Sequence, residues 1–211
     1  MERYRETFAR AGFDFEVVNE GLLRKSEELS SAILSVTGEK KGKWLAVAPF
    51  AQHQGKIYPL EKMEKVISSL SERKDMKILL FGGGKKEIDV FDSWVSRYEG
   101  LVSLAGKFSM REELQILDAS DLLLSMDSSN MHLASLVQTP VVSIWGATHP
   151  FAGFYGYGQN PANIIQKEMD CRPCSIYGNK PCLRGDYACL NQVSTEEVID
   201  KVISVLFDSQ R

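Results

Sequence analysis

Residues 121–150 read DLLLSMDSSNMHLASLVQTPVVSIWGATHP. Two apolar runs, DLLLSM and VVSIW, flank a segment that opens on four residue types favoured at helix caps, Asp127, Ser128, Ser129 and Asn130, and continues as MHLASL. A short continuous apolar run is how a strand buried on both faces reads, because helices cover both sides of a parallel sheet. Strand, helix and strand in immediate succession make a βαβ unit, with the capping residues at the carboxyl end of its first strand.

The same alternation extends upstream. WLAVAP from Trp44, KILLF from Lys77 and LVSL from Leu101 are three further runs. Between them, Leu60, Met63, Val66, Ile67 and Leu70 keep one helical stripe, and Phe91, Trp94, Val95 and Tyr98 keep a second. Ser109 and Glu112 have capping-box spacing, as do Ser194 and Glu197 ahead of Val198, Val202, Val205 and Leu206. Five strands alternating with helices predict an α/β fold over residues 44–211, a Rossmann-like, doubly wound and mainly parallel sheet. Residues 1–43 read as a lead-in and linker. Tyr4, Phe8 and Ala11 recur at helical spacing before Gly12, FDFEVV is strand-like, and Leu29, Ile33 and Val36 mark another helix that Gly38 ends.

Composition narrows the function classes. With 44% hydrophobic residues, 25% charged and a net charge of -3 over 211 residues, the chain is an ordinary globular one with enough length for a real core. That balance argues against nucleic acid as a partner. Lys40, Lys41 and Lys43 read as a solvated linker. No window approaches the roughly 18 apolar residues of a membrane span, and MERYRETFAR lacks the apolar centre of a signal peptide, so a cytoplasmic protein is expected.

In a doubly wound sheet, ligands bind beyond the carboxyl ends of the strands. The loops to read are therefore FAQHQGKIYP, GGGKKE, AGKFS, DSSNMH and GATHP. Lys56 stands just before Pro59, a residue suited to opening a helix, and a cation beside a helix N-terminus suggests an anion between them. Gly82, Gly83 and Gly84 remove three side chains at a strand end and let backbone N–H groups approach a ligand. Glu87 could accept from a ribose hydroxyl or a base amine, or could simply stabilise a helix N-terminus. Asp127, Ser128, Ser129 and Asn130 are more caps than one helix needs, and the surplus donors, with His132 in the first turn, suit phosphate oxygens. The alternative is a well-capped short helix with a packed histidine. Micromolar binding needs about 8 kcal/mol, and charge-assisted hydrogen bonds contribute roughly 1.5 to 3 kcal/mol each, so three or four such contacts plus stacking suffice without a metal.

Taken together, these loops resemble glycosyltransferase family 9, the heptosyltransferases of lipopolysaccharide core synthesis. The likeness runs from Trp44 to Phe207. APFAQHQGKIYPLEKMEKVI is similar to the family's first strand, loop and helix start, LLFGGGKKE to its glycine-rich loop, and MDSSNMHLASLVQTPVVSIWGATHP to its most specific stretch. The resemblance implies a GT-B architecture of two facing Rossmann-like domains, of which this is the C-terminal, nucleotide-sugar-binding one. It further implies that Lys56 contacts phosphate, that Glu87 serves the nucleoside, that Asp127, Ser128, Ser129 and His132 hold the pyrophosphate region, and that Thr148 lies near the sugar, with Gly83 and Gly84 of the glycine-rich loop also among the donor-binding residues. An inverting transfer from ADP-heptose to a lipopolysaccharide core or similar glycan, without a required cofactor, would follow, with peripheral contact at the inner-membrane face. Two departures stand out. Ser129 replaces the family's usual glycine. The acceptor-binding domain, with the family's catalytic aspartate, is not among these residues, and residues 1–12 look like its last helix only. The chain is thus expected to bind donor better than it transfers sugar, and a stand-alone nucleotide-binding module is the alternative. A nicotinamide-dependent oxidoreductase would need a G-x-G-x-x-G after a strand, and GGGKKE lacks the third glycine.

Cys171, Cys174, Cys182 and Cys189 have two, seven and six residues between them. Four thiolates so placed could close around a structural zinc, although the two longer gaps fit no standard zinc-finger spacing. Reduced thiols packing a loop and disulfides are the other readings.

Overall fold

The structure, a computed structural model, describes residues 2–18, 21 and 28–208 of the protein. Six strands form one sheet: β1 (Lys43–Ala48), β2 (Met76–Leu80), β3 (Leu101–Ser103), β4 (Leu122–Met126), β5 (Val141–Trp145) and β6 (Ile164–Gln166). All pairings are parallel and the order is β3-β2-β1-β4-β5-β6. The chain builds outward from β1 to β3, then returns to place β4 on the other side of β1. That reversal makes β1 and β4 the topological switch point, where a crevice opens beyond the strand ends.

The helices are α1 (Glu2–Arg10), α2 (Ser31–Thr37), α3 (Leu60–Ser71), α4 (Lys85–Val95), α5 (Met110–Ala119), α6 (Ser129–Leu136), α7 (Ala188–Asn191) and α8 (Thr195–Ile203). Along β1 the side chains alternate. Leu45 and Val47 join a cluster with Met63 and Val66 of α3, Phe91 of α4 and Val198 of α8, while Trp44, Ala46 and Ala48 join Ile33 of α2, Leu117 of α5 and Ala134 of α6. Both faces of the sheet are therefore covered, which is why its strands read as mainly apolar runs.

Both predicted capping residues are found. Ser109 and Glu112 form a reciprocal capping box at α5, whereas Ser194 caps α8 alone and Glu197 turns instead to Lys167, with Nζ to Oε2 at 2.6 Å.

Three expectations need correction. FDFEVV is not a strand: residues 13–18 lie outside the sheet with Phe13 67% exposed, so their alternation buries no face. The basic stretch is not merely solvated, since Lys40 and Lys43 both pair with Asp121 at the start of β4, whose Oδ2 also accepts the Trp44 N–H. Finally, β6 carries only two apolar residues, Ile164 and Ile165, and as an edge strand it lacked the long apolar signature.

Candidate functional site

A cleft of about 670 Å³ lies over the carboxyl ends of β1, β2 and β4. Lys56, Gly83, Glu87, Asp127, Ser128, Ser129 and His132 all line it. Residues that are widely separated in sequence thus meet because they follow three strands, β1, β2 and β4, that lie side by side in one parallel sheet.

Lys56 and Asp127 form the centre. Lys56 Nζ lies 2.8 Å from Asp127 Oδ2, and the two side chains are 16% and 4% exposed. Thr148 Oγ1 donates to the same carboxylate oxygen at 2.8 Å. Thr148 is fully buried and does not line the cleft. The residue expected near the sugar therefore acts on the site through Asp127. The loop bearing Lys56 is held to the loop after β5 by backbone: Ala147 N–H donates to Gly55 O at 2.8 Å, and a Cβ on Gly146 would come within 2.4 Å of that oxygen.

Ser128 occupies the N-cap of α6 in extended conformation, yet its side chain makes no capping hydrogen bond; its Oγ lies 3.1 Å from Ser125 Oγ. Asp127 is committed to Lys56 and Thr148 and Ser128 makes no capping bond, so the positive end of the α6 dipole is presented at the cleft wall that Ser128, Ser129 and Asn130 line. His132 stands in that turn with one edge in solvent. Desolvation by the cleft wall lowers its pKa, Asp127 opposes this and Lys56 adds to it, so the neutral imidazole is favoured.

On the β2 side, Glu87 Oε2 accepts the Gly83 N–H at 2.7 Å. Both readings of Glu87 have support: the carboxylate stabilises the start of α4 and also lines the cleft. A Cβ on Gly82 would sit 2.5 Å from Glu87 Oε2 and 2.9 Å from the Phe91 ring, so a side chain there would displace the carboxylate. Gly84, at the N-cap of α4 with φ of 84°, shapes the turn without lining the cleft.

The cysteines do not gather, among the described residues, into the four-thiolate site that was one reading of their spacing. Among the described residues no group of three or more His, Cys, Asp or Glu could hold a metal ion, and all four cysteines are free thiols. Order comes instead from Arg172. Its guanidinium donates to the carbonyls of Gly146, Lys167 and Thr148 and to Gln166 Oε1, at 2.5 to 3.1 Å. Burial lowers the Arg172 pKa, opposed by the nearby cysteines and Glu168. Burial also raises the pKa of the Cys174 and Cys189 thiols.

Sequence reasoning missed His53 and Glu113, which line the cleft, and the aromatic pair Phe154 and Tyr177 at its rim. His53 sat in a loop already singled out; the aromatics follow β5 and β6 through irregular segments that carry no periodic signal.

The model of glycosyltransferase family 9 (heptosyltransferase) matches residues 1–181. The chain belongs to glycosyltransferase family 9. The family match takes in the N-terminal segment as well as every residue of the cleft named above. Lipopolysaccharide heptosyltransferase 3 of Escherichia coli K12 is 30% identical over 110 residues, 51% of this chain and 32% of that protein. Lipopolysaccharide heptosyltransferase 1 of Campylobacter coli is 25% identical over 190 residues, 88% of this chain and 52% of that protein. The chain thus spans about half the length, or less, of these curated relatives. In fold it is similar to the E. coli ADP-heptose lipopolysaccharide heptosyltransferase II, with a TM-score of 0.65 at 16% identity over 92% of this chain and 57% of that one. Among the described residues no helix is long and apolar enough to cross a membrane.

Proposed function

We propose that this family 9 chain is the donor-binding half of an inverting heptosyltransferase, holding ADP-heptose for transfer to a lipopolysaccharide core or similar glycan. The observation that carries this reading is the meeting of Lys56, His132 and the uncapped first turn of α6 on one cleft at the switch point of the sheet. A diphosphate seated there receives N–H groups from α6 and the Lys56 ammonium, while Glu87 and Gly83 stand at the nucleoside end. The name of the structural relative, an ADP-heptose enzyme, supports adenine as the base.

In the transfer, the bond from the anomeric carbon to the diphosphate oxygen breaks and its electron pair leaves with the diphosphate. An acceptor hydroxyl oxygen bonds that carbon from the opposite face. The donors around α6 stabilise the charge that builds on the leaving diphosphate, so no cofactor is assigned a step. In this reading no residue of the cleft is assigned as the base that takes the hydroxyl proton or as the acceptor site.

Calorimetric titration with ADP, UDP and GDP tests this assignment. Micromolar binding of ADP is expected, weakened about 10- to 100-fold in Lys56→Ala, the loss of one charge-assisted contact. Equal affinity of Lys56→Ala and the unaltered protein for ADP would overturn it.

A further inference from the structure

We propose that Tyr177 and Phe154 form an aromatic subsite for the transferred sugar of the donor, so that the segment bearing the cysteines is a wall of the binding cleft. This inference rests on the donor-site reading above and assigns its far end. Both residues line the same cleft as Lys56 and Asp127, and their ring centroids lie 5.8 Å apart at an interplanar angle of 47°. Neither ring is used by the core: Tyr177 is 59% exposed and Phe154 36%.

Strand order fixes which end of the ligand they meet. The nucleoside side of the cleft, with Glu87 and Glu113, follows β2 and β3. Lys56 and the start of α6 follow β1 and β4, and Phe154 and Tyr177 follow β5 and β6. Adjacent strands are about 4.8 Å apart, so the four steps from β2 to β6 span roughly 19 Å, a length on the scale of an extended nucleoside diphosphate sugar. With the base end at β2 and β3 and the diphosphate at β1 and β4, the sugar falls toward the aromatic pair.

The backbone that carries Tyr177 is also held in place. Gly178, with φ of 75°, packs directly on the Lys56 stem, where a Cβ would lie 2.8 Å from Lys56 Cγ. Its N–H donates to Ser175 Oγ at 3.1 Å, and Ser175 Oγ in turn donates to Asn179 Oδ1 at 2.8 Å, closing a tight turn around Tyr177. Cys174 N–H donates to Ala147 O at 2.9 Å, and this ties the segment to the loop after β5. A sugar presents a face of C–H groups, which the negative face of an aromatic ring attracts, while its hydroxyls remain in water or reach polar neighbours.

The test compares two probes, ADP and ADP-heptose, by calorimetry on the full chain and on Tyr177→Ala, Tyr177→Phe and Phe154→Ala. ADP affinity should stay within about twofold in all three variants. ADP-heptose affinity should fall about three- to tenfold in Tyr177→Ala and Phe154→Ala, a loss typical of one aromatic contact, and Tyr177→Phe should retain it. Both side chains are surface residues, and an unchanged thermal midpoint checks that the variants fold. If ADP-heptose binds the alanine variants as well as the unaltered protein while ADP binding is intact, the aromatic subsite is wrong and the donor site stands. Equal losses for ADP and ADP-heptose would place the rings against the nucleotide and also overturn it. If the unaltered protein binds neither probe, the donor-site reading itself fails and the subsite goes with it.

Discussion

Thr148 Oγ1 donates to Asp127 Oδ2, the same oxygen that lies 2.8 Å from Lys56 Nζ. A buried carboxylate is tolerated only when its acceptor sites are filled, and here a hydroxyl and an ammonium fill one of them together. Thr148→Val keeps the shape and removes the donor. We expect it to cost about 1–3 kcal/mol in urea denaturation, with Thr148→Ser close to the unaltered protein. A neutral Thr148→Val would show that Asp127 does not depend on this hydrogen bond.

Gly178 and Gly185 make a matched pair. Both have positive φ, 75° and 78°, but a Cβ on Gly178 meets the Lys56 stem while one on Gly185 meets nothing within 4 Å. Each alanine substitution should cost about 1–2 kcal/mol in backbone strain. Only Gly178→Ala should also push Lys56 from its place, and we expect ADP affinity to fall about tenfold in that variant alone, as for a lost charged contact. Equal ADP affinities in the two variants would separate Lys56 from the turn that backs it.

Glu113 lines the cleft, and burial raises its pKa. A carboxyl group with a raised folded pKa holds its proton more firmly in the folded state. As pH rises through the ordinary value of 4.5, the unfolded chain releases its proton first, and stability falls between there and the folded pKa. Glu113→Gln removes this penalty. It should therefore be more stable than the unaltered protein at pH 7, with the difference vanishing at about pH 3.5, below both pKa values. Denaturant titrations at the two pH values decide it, and a difference that persists at the lower pH would point to packing instead of charge.

How far the sequence carried depended on how each feature is encoded. Runs such as LLLSM and VVSIW identified five strands, because burial on both faces leaves them predominantly apolar, with only the small Ser125 and Ser143 interrupting these two. The sixth, Ile164–Gln166, escaped because an edge strand with two apolar residues has no distinctive pattern. FDFEVV had the alternation of a strand but stays outside the sheet, so local pattern misled. At the site, Lys56, Glu87, Asp127 and His132 were legible since the topology rule says which loops converge. That Thr148 reaches Asp127 across 21 positions, and that Tyr177 comes back to flank Lys56, depends on loop paths with no periodicity to read.

Arg172 and the cysteines yield the remaining prediction. The spacing of Cys171, Cys174, Cys182 and Cys189 suggested a metal as the source of order, but the guanidinium of Arg172 bonds four oxygens that span the end of β5, the end of β6 and the loop between β6 and the thiols. If that arginine organises the segment, a chelator such as EDTA should leave the thermal midpoint unchanged, whereas Arg172→Ala should lose about 3 kcal/mol, the scale of stranding buried carbonyls that accepted from a charged donor. Arg172→Lys should recover only part of that loss, since an ammonium cannot present the planar fork that reaches Gly146, Thr148 and Lys167 together. Because Thr148 O is one of the acceptors, the same variant should also weaken ADP binding through Asp127. A large drop in midpoint with EDTA, together with a mild effect of Arg172→Ala, would return the cysteines to the role of metal ligands.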